Sequence, residues 1–137
     1  MNLREISRLR YQIKLTNQEI NTLFEKETGF SLTRYEMLMF LKDKGTCSQN
    51  QIQTELKIDS AAITRHLKIL EQKGYVIRER NAENNREVFV QLSDKAIKDL
   101  EACGKEHDQG KSSLSLSLSD EEAEQLSILL NKLYLQS

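Results

Sequence analysis

Apolar side chains recur at spacings of three and four along most of this chain and alternate in only two stretches, a pattern that predicts helices with one short hairpin. The segment from Asp59 to Gly74 is the most sharply bounded of these helices, with an aspartate suited to its N-cap and a glycine suited to a left-handed stop. On a helical wheel Ile63, Leu67 and Leu70 share one face, while Ala61, Arg65, Lys68 and Gln72 gather on the other. One side packs. The other begins small and turns cationic, as a helix must to enter a major groove and set an arginine against a guanine or a phosphate. An ordinary amphipathic surface helix has the same outline, so the neighbouring segments decide between the two.

Ahead of that helix, Ile6, Leu9, Ile13, Ile20 and Phe24 mark a long amphipathic helix over residues 3–27, broken by Gly29. Ser31-Leu-Thr33 starts a second, which reaches Lys44 with Tyr35, Leu38 and Leu41 available to pack and Gly45 to end it. Ser48-Gln-Asn-Gln51 has the capping-box form and opens a third, whose buried pair is Ile52 and Leu56. Lys57-Ile58-Asp59 is then a tight turn, with Ile58 held between two helices. After Gly74, Tyr75 to Arg80 reads as a strand, and Val88, Val90 and Leu92 alternate along another. The connection Asn81-Ala-Glu-Asn-Asn-Arg86 is polar and rich in asparagine.

A further helix starts at Ser93-Asp-Lys-Ala96 and runs to about Gly110, with Ala96, Ile97, Leu100 and Cys103 on one side. Ser112 to Ser119 alternates serine and leucine as a strand would, but a strand there has no partner. Ser119-Asp-Glu-Glu122 is a second capping box, so the serines lead into a terminal helix carrying Ala123, Leu126, Leu129, Leu130 and Leu133. Together with the first helix it bears more apolar surface than a small core covers, which predicts burial against another copy of the chain.

Length and charge narrow the function. At 137 residues and 38% hydrophobic content the chain supports one core-bearing domain. No apolar run is long enough to span a bilayer, and Met-Asn-Leu-Arg-Glu is not a hydrophobic signal, so a cytoplasmic protein with no membrane partner is expected. Cys47 and Cys103 are too few for a disulfide framework, which fits a reducing compartment. Net charge is −1, unevenly spread: residues 92–137 hold five Lys and Arg against nine Asp and Glu, whereas residues 31–91 hold ten against eight. Between Ser60 and Arg86, Arg65, Lys68, Lys73, Arg78, Arg80 and Arg86 face only Glu71, Glu79 and Glu83. The cationic excess therefore lies where a phosphate backbone would be met.

A short helix, a three-residue turn and an arginine-bearing second helix form a helix-turn-helix, and the hairpin after it forms a wing with Arg86 at its tip, placed to enter a minor groove. DNA binding is the expected activity. A winged helix that meets only protein is the other class, against which the small start and the cations at Arg65, Lys68 and Arg86 speak. An enzyme is not expected: there is no HExxH, no glycine-rich phosphate loop and no nucleophile–His–acid set around the two histidines, His66 and His107. His66 lies beside the apolar stripe as a packed edge residue. Cys103 and His107 sit four apart, a spacing that can grip a metal, but two ligands are too few and neither metal nor cofactor is expected. Cys47 lies near a helix start that would lower its pKa.

The chain resembles the multiple antibiotic resistance regulator (MarR) family of bacterial transcription factors. The resemblance rests on Leu32-Thr-x-x-Glu36, Ile63-Thr-Arg65 with Leu67 and Leu70, Glu71-x-Lys-Gly-Tyr-Val-Ile-x-Glu-Arg80, Val88-x-Val-x-Leu-Ser93, and Leu118-Ser-x-Glu-Glu122 with Leu129-Leu130, in this order over nearly the whole chain. It implies a mainly α (α+β) fold, a winged helix-turn-helix lobe at 31–92 within a single MarR-type domain of residues 1–137. Residues 1–28 and 93–137 would be dimerisation helices. It implies a homodimeric repressor that binds a pseudo-palindromic double-stranded operator and is released by a small molecule or by oxidation. The peroxide-sensing branch keeps its cysteine in the first helix, where this chain has none.

Carried onto this sequence, the DNA contacts are Ser60, Ala61, Thr64, Arg65 and Lys68, with Asn84, Asn85 and Arg86 in the wing. Ser48, Gln49 and Gln51 are expected to meet phosphate through the N–H groups at a helix start. One departure stands out: the family's wing carries Asp-x-Arg, and here Asn84 takes the Asp position while Arg86 remains. Tyr11, Phe30 and Tyr35 are candidate lining for an effector cleft between the dimer helices and the winged lobe.

Overall fold

The computed structural model describes residues 1–84, 86–108 and 116–135. Its order is α1 (Leu3–Thr28), α2 (Leu32–Lys44), β1 (Cys47–Ser48), α3 (Gln49–Leu56), α4 (Ser60–Gln72), β2 (Val76–Arg80), β3 (Val88–Leu92), α5 (Asp94–His107) and α6 (Asp120–Leu135). Local chemistry sets the boundaries. Ser31 accepts from Arg34 N, Ser48 and Gln51 exchange both bonds of the capping box, and Ser93 accepts from Ala96 N. Asn2 caps α1 by accepting from Glu5 N at 2.8 Å, a cap the hydrophobic pattern does not announce. Gly29 at φ 79° and Gly74 at φ 77° take the left-handed conformation that lets the chain turn at once after α1 and α4.

The sheet is antiparallel in the order β1-β3-β2. Val76 faces Leu92 and Arg80 faces Val88 across the hairpin, while Cys47 and Ser48 pair with Val90 and Phe89 on the other edge. The third strand, β1, is absent from the sequence reading, because two residues ahead of a capping box carry no alternation to detect. Met37, Leu38, Leu41, Ile52, Ile63, Leu67, Leu70, Val76, Val90 and Leu100 form one core around which the helix-turn-helix and the hairpin close. Tyr35 packs against that core partly buried, Met37 is fully buried in it beside Leu38 and Leu41, and Leu56, expected as one of a buried pair, is only partly buried. Ile97 is exposed, so the inner face of α5 is Ala96 and Leu100.

In α1, by contrast, no residue is buried. Along α6, Leu126, Leu129, Leu130 and Leu133 all remain 42–56% exposed. The α6 start is held by the expected box, Ser119 N donating to Glu122 Oε1 at 2.9 Å and Glu122 N to Ser119 Oγ at 3.1 Å. Residues 111–115 of the serine–leucine stretch lie outside the described residues, as do 109–110, where the sequence pattern ends α5; its described end is His107. Among the described residues, no helix is long and apolar enough to cross a membrane.

Candidate nucleic-acid interface

Helix α4 is fixed from behind and open in front. Ile63, Leu67 and Leu70 are buried against the core, and Ser60, Ala61, Thr64, Arg65 and Lys68 are all exposed on the opposite side. Asp59 Oδ2 accepts from Ala61 N at 3.2 Å and closes the N-terminus. The two helices of the motif are joined across their outer faces, where Gln49 Nε2 donates to Thr64 Oγ1 at 3.3 Å. Among the described residues neither Arg65 nor Lys68 has an ion-pair partner, so both charges are available to an anionic ligand.

Ser48 does not fit its expected role. Its side chain is buried, its hydroxyl accepts from Gln51 N at 3.1 Å, and its own N–H donates to Gln51 Oε1 at 2.9 Å. The capping box that marks this helix start therefore consumes the N–H groups of both Ser48 and Gln51.

The wing is held by asparagines. Asn81 N donates to Glu87 O at 2.9 Å, Asn81 Oδ1 accepts from Glu83 N at 2.9 Å, and Asn84 O accepts from Glu87 N at 3.0 Å. Asn84 Oδ1 also accepts from Arg86 N at 3.1 Å, a side-chain turn that an aspartate at this position could make equally well. The replacement thus keeps the backbone shape before Arg86 and gives up a negative charge beside it. Arg86 is exposed. Asn85 lies outside the described residues.

Two cations counted toward the basic stretch are engaged elsewhere. Arg78 makes a two-pronged contact with Glu71, Nη2 to Oε1 at 3.0 Å and Nε to Oε2 at 3.2 Å, which clips the end of α4 to β2 and lowers the Glu71 pKa. Arg80 is also partnered. His66 packs at the edge as expected, its Nδ1 3.3 Å from Arg34 Nη1; burial, then Arg34 and Arg65, lower its pKa.

Behind the C-terminal end of α4, α5 ties down three successive residues. Lys95 Nζ donates to Lys73 O at 2.8 Å, Ser93 Oγ to Gly74 O at 2.6 Å, and Tyr75 OH to Asp99 Oδ2 at 2.9 Å. Tyr75 also walls a cavity of about 240 Å³ lined by Thr28, Phe30, Asp99, Ala102, Cys103 and Glu106. Of the expected lining, Phe30 is in this wall and Tyr35 packs behind it at 5.8 Å between ring centroids. Tyr11 is not: it lies 13 residues before Phe24, the α1 residue that meets Tyr35, or about 20 Å along the helix. Helical spacing put these aromatics on one element without setting how far along it each would act.

Both thiols move away from reactivity. Cys47 is buried in β1 and donates to Gly45 O at 3.3 Å; burial raises its pKa and outweighs the nearby Lys44, against the lowering expected from a helix start. Burial, then Glu106 and Asp108, raise that of Cys103. No group of three or more His, Cys, Asp or Glu side chains among the described residues could hold a metal ion.

The MarR family model matches residues 30–88, which span the helix-turn-helix and the wing. Over 118 residues the chain is 39% identical to an uncharacterised HTH-type transcriptional regulator, YdgJ, of Bacillus subtilis (strain 168), covering 86% of this chain and 72% of that protein. It aligns with a mutant MarR from E. coli complexed with operator DNA at a TM-score of 0.82 and 25% identity, covering 97% of this chain and 99% of that one. With reduced AbfR bound to DNA the TM-score is 0.79 at 25% identity, covering 98% and 96%. The elements, their order, and relatives that are regulators and not enzymes agree: this chain belongs to the MarR family of winged helix-turn-helix transcription regulators.

Proposed function

We propose that this chain is a sequence-specific regulator that binds double-stranded DNA as a homodimer in the cytoplasm and acts as a repressor released by a small molecule. The observation that carries the reading is the exposed face of α4, where Arg65 and Lys68, without an ion-pair partner among the described residues, stand over a fully buried stripe. A helix so backed keeps its orientation when it meets a groove, and its ordering cost is already met by folding of the lobe. Structural neighbours bound to DNA support the reading of the chain as a DNA binder. In this reading Ser60, Ala61, Thr64, Arg65 and Lys68 meet the major groove, Gln49 and the N–H groups beside it meet phosphate, and Asn84 and Arg86 follow the minor groove.

The lobe at 31–92 would then be carried by helices at 1–28 and 93–137, with α5 serving both parts, since Leu100 belongs to the lobe's core. The apolar residues of α1 and α6 that this chain leaves uncovered are the surface for a second copy. An effector in the cavity beside Tyr75 lies next to the residues that end α4. Footprinting of the purified protein on DNA upstream of its own coding sequence tests the proposal. An inverted repeat with half-sites about one helical turn apart is expected, with affinity falling as salt rises; no salt-dependent complex with any duplex would refute it.

A further inference from the structure

We propose that the cavity beside Tyr75 takes a small aromatic ammonium, a single ring bearing one positive charge. The inference rests on the reading of the chain as an effector-released regulator and adds the chemistry of the effector. Charged groups lining the cavity are all acidic: Asp99, half-buried, and Glu106. Its aromatic walls are Phe30 and Tyr75, with centroids 5.7 Å apart and planes tilted by 43°, and aromatic rings attract cations. The Thr28 hydroxyl donates to Phe24 O at 2.7 Å, and among the described residues neither Asp99 nor Glu106 has an ion-pair partner.

Lys95 lies over the Tyr75 ring at 4.9 Å but donates to Lys73 O and is not among the residues that line the space. The field agrees: burial is the largest cause of the raised pKa values of Tyr35, Tyr75 and Cys103, and the carboxylates Glu36, Asp99, Glu106 and Asp108 raise them further. An aromatic carboxylate would meet repulsion there. At about 240 Å³ the cavity is smaller than the roughly 300–1,000 Å³ typical of drug-sized sites, a size that suits a guest of one ring.

The site also has a route to α4. Asp99 is the acceptor for Tyr75 OH, and Tyr75 N donates to Leu70 O at 2.9 Å while Tyr75 O accepts from Ser93 N at 3.0 Å. An ammonium that draws Asp99 to itself acts on the residue that seals the end of the recognition helix.

Calorimetry on the full chain with phenethylamine, against phenylacetate as a probe of similar size and opposite charge, tests this. The expected result is saturable binding of phenethylamine alone, weakened about tenfold or more by Asp99→Asn with Glu106→Gln. The amide that replaces the Asp99 carboxylate keeps an oxygen for Tyr75, so an unchanged thermal midpoint separates loss of charge from loss of fold. Phenylacetate bound as well as the amine, amine binding unaltered in the double variant, or a flat amine isotherm would each overturn the proposal. Gel shifts on the upstream DNA without any probe assay the regulator reading separately: retained DNA with a flat isotherm removes only the ammonium, and absent DNA binding with a saturable isotherm removes only the regulator.

Discussion

On the proposed dimer, replacing Leu129 with Asp should separate the two copies while leaving each lobe folded. Leu126, Leu129, Leu130 and Leu133 lie on one stripe of α6 and are 42%, 56%, 45% and 47% exposed. Covering the remaining half of a leucine is worth about 1 kcal/mol, so the stripe contributes about 8 kcal/mol over two copies. Association costs about 4–15 kcal/mol. The margin must come from α1, where Leu9, Ile13, Leu15, Ile20 and Leu23 are 38–43% exposed. An aspartate at 129 removes about 1 kcal/mol per copy and brings a carboxylate into a drying interface, at a cost of several kcal/mol for each ion. The dimer constant should weaken by about four orders of magnitude.

Leu129 is the right position because Leu130 and Leu133, but not Leu129, line the groove against Ile6, Leu9 and Ile13 of the same chain. The α6 residues that line that groove are thereby left unchanged. Sedimentation velocity over a concentration series reads the effect, and helical circular dichroism with its thermal transition verifies the lobe. A variant that sediments as a dimer like its parent, or a parent monomeric throughout the series, would refute the argument.

Arg65→Ala should cost about 1–3 kcal/mol in DNA affinity and relax preference at one base pair per half-site, measured by binding to a panel of single-substitution operators; uniform loss across the panel would make Arg65 a phosphate clamp instead. Glu71→Gln tests the clip to Arg78. Because the folded pKa of Glu71 lies below its ordinary 4.5, the stabilisation is present above that pH and lost as pH falls through the folded value. The variant should melt slightly below the parent at neutral pH and coincide with it in acid, the gap staying within about 1 kcal/mol for so exposed a pair; a gap that widens in acid would contradict the sign. With both thiols shifted upward, Cys47 and Cys103 should react with a disulfide reagent at pH 7 more slowly than free cysteine, and peroxide equimolar with thiol should leave DNA retention unchanged. Rapid modification of either would reverse that conclusion.

Features of the fold that depend on neighbours in sequence were legible, and features that depend on distant pairs were not. Ser31, Ser48, Asp59, Ser93 and Ser119 announce helix starts because a cap acts over three residues. The apolar stripe of α4 was equally plain, since Ile63, Leu67 and Leu70 alone meet its period. In α2 the run Tyr35 to Leu41 is apolar at nearly every position, so spacing does not choose between Tyr35 and Met37; packing against the sheet chooses Met37. The contacts of Gln49 with Thr64, Arg78 with Glu71 and Tyr75 with Asp99 span 15, 7 and 24 residues, and no periodicity links their members. Those contacts aim α4 and build the cavity wall, which is why the expected contact face emerged from the pattern whereas the cavity did not.

A chain of net charge −1 can hold a polyanion only if few cations do the work, and that fixes how steeply its binding should respond to salt. Arg78 is neutralised by Glu71, and Arg80 is partnered. Among the described residues, Arg65, Lys68 and Arg86 remain exposed on the interface without an ion pair. If Arg65 reads a base, two cations per protomer neutralise phosphate, four in a dimer, and log affinity should fall against log salt with a slope of roughly −4. The acidic α5 and α6 lie away from this face and add no counterion release. A measured slope near −8 would require about two more cations per protomer, such as Arg78 and Arg80, to leave their present partners on binding. In that case Arg78→Met should flatten the slope; with the clip intact on DNA, the same substitution should leave the slope unchanged and loosen only the end of α4.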